Sequence, residues 1–181
     1  MPTPIGHALS GVLVFSAVSI KKALPKRLFF FTLIWAVLPD MDFLFGFFEG
    51  NPNKYHHHFT HSFVFVLVVG AFGAVLLTQK NRSQFGVYFV CLSVAGVMHV
   101  LLDVLALDTS APYGAPIFWP FSTHYFISPI RIFSDVHRVS DSRLFFRSLL
   151  NWHNAMTVGI EILILGPLTI ASQWFAKRMA R

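Results

Sequence analysis

The 181-residue chain is expected to be an all-α integral membrane bundle of about five transmembrane helices, with a long aromatic loop between the last two. Three observations predict this. Hydrophobic residues make up 55% of the chain and charged residues 12%, against about 25% charged in an ordinary soluble domain. The apolar residues fall into five runs, several near the lower length limit for crossing a hydrocarbon core of about 30 Å. The basic residues gather at the ends of those runs, so the formal charge of +6 reads as membrane topology, and no nucleic-acid partner is expected. Residues 1–181 read as a single membrane-embedded domain whose surroundings are the lipid bilayer.

The segments cover roughly residues 5–22, 28–46, 62–78, 85–106 and 154–175. No basic residue precedes the first, and Lys21 and Lys22 follow it. That is the reverse of a cleavable signal peptide, so it reads as a retained helix. The second is interrupted by Leu38-Pro39-Asp40. Pro39 lacks an N–H and its ring clashes with the preceding turn, so it should end or kink the helix. The third follows the stretch YHHHFTHS, the fourth carries His99 and Asp103, and the fifth carries Glu161 in a run with no other charge. Cys91, the only cysteine, has no intrachain disulfide partner.

Orientation follows from lysine and arginine. Lys21, Lys22, Lys26 and Arg27 join the first two segments, Lys80 and Arg82 join the third and fourth, and Lys177, Arg178 and Arg181 follow the last. Alternation puts all three groups on one side, which the positive-inside rule makes cytoplasmic. Arg131, Arg138, Arg143 and Arg147 lie in a long loop, where the rule has less force. His7, Asp40, Asp42, the His56–His61 stretch, His99, Asp103, His153 and Glu161 then all fall towards the opposite, outward face.

A charged side chain within hydrocarbon costs about 2.5–3.5 kcal/mol on insertion scales, and His and Asp are metal ligands. His99 and Asp103 are four residues apart and share a helix face. They suit one metal centre, or a buried hydrogen-bonded pair that joins helices. Asp40 and Asp42 at the proline break can divide ligand and base roles, or can cap a helix. His56, His57, His58 and His61 form the densest cluster, and three adjacent histidines cannot all face one centre. Thr60 and Ser62 can orient an imidazole or cap the next helix. His7 alone reads as an interfacial residue, and His124, His137 and His153 as ordinary loop or interface residues. Glu161 needs a partner in its apolar run and is a ligand, a supporting acceptor or a general base. The aromatic stretch Tyr113 to Ser122 suits either an interfacial belt or a lid. The following SRLFFRSLLNW can lie flat on the membrane, with Arg143 and Arg147 near anionic lipid or phosphate. Walker, Gly-x-Ser-x-Gly, CxxC and HExxH patterns are absent from the sequence.

Taken in order, His7 followed by Gly11, LPDMD, HHHFTHS, HVLLD, YGAPIFWPFS and the late Glu161 resemble the YdjM-like family of inner-membrane proteins, described as metal-dependent hydrolases. The match spans nearly the whole chain. In that family the histidine stretch usually reads His-Arg-Gly-x-Thr-His-Ser, so the resemblance places its histidines at His56 and His61, with His57 and His58 replacing Arg and Gly. An acidic residue that often follows the family's WPxS element is Thr123 here. The pattern is also similar to that of zinc-dependent phospholipase C, with its early His, its HxxxD pair and its late Glu.

The resemblance implies a multi-pass bacterial inner-membrane hydrolase with its site facing the periplasm. His7, His56, His61 and His99 would supply nitrogen, and Asp40, Asp42, Asp103 and Glu161 oxygen, to a divalent metal. Zinc is favoured, with manganese or iron permitted by the mixed ligands, and two or more ions fit so many groups. Asp42 or Glu161 would serve as catalytic base, and phosphoesters of lipids or lipid-linked phosphates are the expected substrates. The residues leave two alternatives. One is a metal or proton transporter, and the other is a non-catalytic membrane protein whose metal joins short helices.

Overall fold

Helix α1, Pro4–Val18, begins where Thr3 caps it and Pro4 supplies a preset φ at its first position. The computed structural model describes residues 1–21 and 24–179; Lys22 and Arg181 of the orientation argument lie outside the described residues. Helix α2, Lys26–Val37, tightens into a 3₁₀ turn over Leu38–Asp42 and resumes as α3, Phe43–Phe48. The proline break therefore falls at the expected place, and it changes the helix type without ending the span. Helix α4, Phe63–Leu77, is capped by Ser62, whose hydroxyl accepts from Phe65 N–H at 3.2 Å. Helix α5, Phe85–Val104, is followed by a long loop, the one-turn α6 over Phe145–Ser148, and α7, Trp152–Met179. Two isolated bridges occur, and no strand is present among the described residues.

The five expected segments are all helical, but they differ in reach. Lys26–Phe48, Arg82–Val104 and Trp152–Met179 are long and apolar enough to cross a membrane. The helices Pro4–Val18 and Phe63–Leu77 have 15 residues each, about 22 Å at 1.5 Å per residue and short of a full span. The 62–78 segment matches its helix to within a residue at each end, whereas the 5–22 segment leaves the α-helix after Val18 for a 3₁₀ turn over Ser19–Lys21.

Helix α5 is the central element and packs against α1, α2 and α4. Close approach with α4 depends on small residues. A Cβ on Gly70 would meet Ser93, and one on Gly96 would meet Val66 below 3 Å. Leu28, Ala74, Tyr88, Cys91 and Leu92 form a buried core towards the basic ends of the helices. There Arg27 donates to the Tyr88 hydroxyl at 2.6 Å and to the Leu77 carbonyl at 3.1 Å. Phe30, Val68, Phe72, Leu163 and Ile170 are exposed, as lipid-facing positions of a bundle should be.

The aromatic loop folds back over the outward end. Ser128 and Ile132 N–H groups donate to the carbonyls of Val104 and Leu105, and Phe63 N–H donates to Ile117 at 3.0 Å. The loop thus satisfies backbone groups at the ends of α5 and α4. Leu150 and Trp152 are almost fully exposed beside α6, which suits a segment lying at the interface.

Candidate metal centre

Four elements carry the expected ligands to one place. His7 sits on the first turn of α1, Asp40 and Asp42 on the 3₁₀ turn, His56 and His61 on the loop before α4, and His99 and Asp103 on the last turns of α5. All seven are buried or nearly so.

His99 Nδ1–H donates to the Ala36 carbonyl at 2.8 Å, so its Nε2 presents a lone pair. His61 Nδ1–H faces Asp42 Oδ2 at 3.3 Å, which likewise turns its Nε2 inward. The two Nε2 atoms are 3.2 Å apart. His61 Nε2 is 3.5 Å from Asp40 Oδ1 and 3.4 Å from Asp103 Oδ2. His99 Nε2 is 3.5 Å from Asp40 Oδ1 and 3.1 Å from Asp103 Oδ2. Two triangles, each made of the two Nε2 atoms and one carboxylate oxygen, thus share the Nε2–Nε2 edge. Zinc bonds of 2.0–2.2 Å give edges of about 3.3–3.6 Å in a tetrahedral site.

The hydrogen-bond pattern tests whether an ion fits. Both oxygens of Asp40, both oxygens of Asp103 and both nitrogens of His7 are buried without any hydrogen-bond partner. The same oxygens lie 3.1–3.5 Å from imidazole nitrogens without forming a hydrogen bond. Lone pairs converge on a common point, and a buried carboxylate left so is very costly. A cation removes that cost, and the residues present fit one. His7 completes the rim, with Nε2 3.4 Å from Asp103 Oδ1 and its ring stacked on His99 at 3.7 Å.

Asp42 stands behind this set. It accepts from His56 Nδ1–H at 3.1 Å and from the Thr60 hydroxyl at 2.9 Å, besides facing His61. It also lines a cleft of about 510 Å³ with Tyr55, His58 and Thr60. A second group, Asp40, Asp42 and His56, shares Asp40 with the first. Glu161 is placed elsewhere. Although fully buried, it accepts the backbone N–H of Thr3 at 2.6 Å and also the Thr3 hydroxyl. It anchors the start of α1, and so the position of His7, without reaching the converging atoms.

The structure also decides among the adjacent histidines. His57 has φ of 62°, a left-handed conformation uncommon for a non-glycine residue. That turn sends both His56 and His57 inward, with ring centroids 4.2 Å apart, and leaves His58 at the cleft. His57 Nδ1 lies 3.4 Å from Asp108 Oδ2. Asp108 is not among the expected ligands, and the sequence leaves open which of the three adjacent histidines binds; His56, His57 and His61 also lie close enough to hold an ion together. Burial pushes His56 well below its usual range, with neighbouring His57 reinforcing this, and burial also lowers His57. For His61 burial acts in the same direction, but Asp40 and Asp42 outweigh it and raise the imidazole to about 9. Burial raises Asp108, but His57 and the Gly114 N–H outweigh it and hold the carboxyl at about 2.

A separate group lies in the outer loop. Asp135 Oδ1 is 3.1 Å from His153 Nε2, Asp135 Oδ2 is 3.6 Å from His137 Nε2, and the two rings stack at 3.6 Å.

Comparison with known proteins agrees with this architecture. The family model described as YdjM inner membrane protein matches residues 1–180. The chain is 33% identical to the inner membrane protein YbcI of Escherichia coli (strain K12) over 135 residues, 73% of this chain and 75% of that protein. No solved structure matches it significantly. A family match over essentially the whole chain, a relative one third identical and a bundle of apolar helices place the chain in the YdjM family of multi-pass inner membrane proteins.

Proposed function

We propose that the protein is a metal-dependent hydrolase of the inner membrane, acting on phosphoesters of lipids or lipid-linked phosphates at the periplasmic face. The observation that carries this is the pair of His61 Nε2 and His99 Nε2, 3.2 Å apart, each 3.5 Å from Asp40 Oδ1 and within 3.4 Å of Asp103 Oδ2, with no hydrogen bond to either carboxylate. Mixed nitrogen and oxygen ligation favours zinc, with manganese or iron also accommodated. When bound, a divalent ion supplies a water acidified towards a pKa of about 7 and a Lewis acid for a phosphoryl oxygen.

The chain's own residues do the rest. Thr60 and Asp42 hold His61, and the Ala36 carbonyl holds His99, in the orientations that present Nε2. Both carboxylates expected as base accept hydrogen bonds, but Asp42 lines a cleft beside the centre, whereas Glu161 lies apart against Thr3. Asp42 is therefore assigned the proton. The aromatic loop excludes bulk water from the outward end. Periplasmic access is supported by chain direction, since the described basic residues Lys26, Arg27, Lys80, Arg82, Lys177 and Arg178 lie at the other ends of the helices.

A transporter would need a polar path onward through the bundle. The core of Leu28, Ala74, Tyr88, Cys91 and Leu92 argues against one. The test is elemental analysis of the purified protein, followed by assays of phospholipid and lipid-linked phosphate hydrolysis with metal-loaded protein. Stoichiometric metal and turnover lost in His99→Ala are expected. Bound metal without hydrolysis of any such ester would leave the structural-metal alternative. Absence of metal under all loading conditions would overturn the centre itself.

A further inference from the structure

Asp40 has a second neighbourhood. It opens on a groove of about 270 Å³ lined by Leu44, Phe47, Phe145, Phe146 and Arg138. The groove runs between α3 and α6 at the outward end, and apart from Asp40 and Arg138 its lining is almost wholly apolar. Arg138 uses Nε to donate to Asn53 Oδ1 at 2.9 Å, and its guanidinium lies 5.1 Å over the Phe43 ring. Its terminal nitrogens make no hydrogen bond or ion pair among the described residues. On its other side Arg138 lines a more polar cleft of about 270 Å³, with Thr109, Ser110, His137 and Ser148 beside two valines.

A guanidinium with free donors, an apolar groove on one side and a polar cleft on the other match the order of parts in a phospholipid. Arginine binds phosphate through two parallel N–H groups. Burial within an aromatic-lined site strengthens that interaction. We propose that Arg138 is the phosphate anchor of a membrane-phospholipid site, with the acyl chain in the Leu44–Phe47–Phe145–Phe146 groove and the headgroup in the Thr109–Ser148 cleft. The site rests on the hydrolase reading for its purpose, since it would set the phosphoester beside Asp40. Binding itself needs no turnover.

The test uses the full chain in detergent, stripped of metal, and measures binding of dioleoyl phosphatidic acid, dioleoylglycerol and inorganic phosphate by native mass spectrometry. Arg138→Gln should weaken phosphatidic acid at least tenfold and leave dioleoylglycerol unchanged. Leu44→Trp, at an exposed groove position, should weaken both lipids several-fold. Phosphatidic acid bound equally well by the wild type and Arg138→Gln would overturn the anchor. Inorganic phosphate competing at the same concentration as phosphatidic acid would overturn the lipid assignment. If Arg138→Gln does not fold, as thermal melting would reveal, Leu44→Trp decides alone, and unchanged lipid binding by it overturns the groove. Because the protein is metal-free throughout, a failed hydrolase assay does not bear on these outcomes.

Discussion

Two groups of histidine and aspartate lie at the outward end of this bundle, and they behave differently. In the buried group His61 and His99 turn their Nε2 atoms towards Asp40 and Asp103, whose oxygens receive no hydrogen bond. In the outer loop Asp135 accepts from the Thr109 hydroxyl at 2.7 Å, and His153 Nε2 reaches both its carboxylate and its backbone carbonyl at 3.1 Å. Asp135 is itself buried, while His137 is 58% exposed. The residue types are the same and the distances similar. The difference is whether proton donors already satisfy the oxygens, because an unsatisfied buried carboxylate needs a cation and a hydrogen-bonded one does not.

The largest expected effect breaks that contrast directly. His99→Ala or Asp103→Asn should lower metal affinity by more than about a hundredfold, exceeding what loss of a supporting residue costs, and should take turnover with it. His153→Ala should leave bound metal unchanged in elemental analysis. Equal losses in both groups would show that satisfaction of the oxygens does not distinguish them.

The second effect separates two carboxylates within the membrane end. Asp42→Asn, assayed at saturating metal, should lose about 10²–10⁴-fold in turnover, the usual contribution of a general base. Glu161→Gln should keep turnover within a few-fold, and should cost about 1–2 kcal/mol of stability through the Thr3 contacts. The reverse ranking would return the base role to Glu161.

A smaller effect concerns protons. His61, raised to about 9 without metal, carries a proton at neutral pH that a metal must displace. Its raised pKa stabilises the metal-free fold fully below about 6.5, and that contribution fades as pH rises through 9. Calorimetric titration with zinc in two buffers of different ionisation enthalpy should therefore report about one proton released at pH 7. No release would mean that His61 is already neutral.

The smallest effect lies outside the centre. Asp108 is held at about 2 against an unfolded value of 3.8. Its contribution is present above about pH 4 and is lost as pH falls towards 2. Asp108→Asn should flatten that part of the acid limb in melting curves of the metal-free protein. An unchanged limb would remove the His57–Asp108 pair from the account.

Much of this was legible in residue order. Apolar runs and basic clusters gave the helices and their ends, because the bilayer demands both. The HxxxD spacing placed His99 and Asp103 on one face, because an α-helix returns after 3.6 residues. Pro39 marked the turn that presents Asp40 and Asp42. Motif order alone sufficed for the family, since the matching elements recur along nearly the whole chain.

Tertiary structure decided the rest. Which adjacent histidines face inward depends on the left-handed backbone at His57, a conformation that no local pattern requires of a histidine. Glu161 looked equivalent to the other buried acids until packing set it against Thr3. His137 and His153 read as ordinary loop residues until the fold brought both to Asp135. Arg138 read only as a weak orientation signal, and its free guanidinium beside an apolar groove exists because the outer loop folds back against α3. Sequence specifies residue types and their periodicity along one helix. Which lone pairs, carboxylates and cations meet depends on distances between elements far apart in the chain, and those are fixed only when the helices pack.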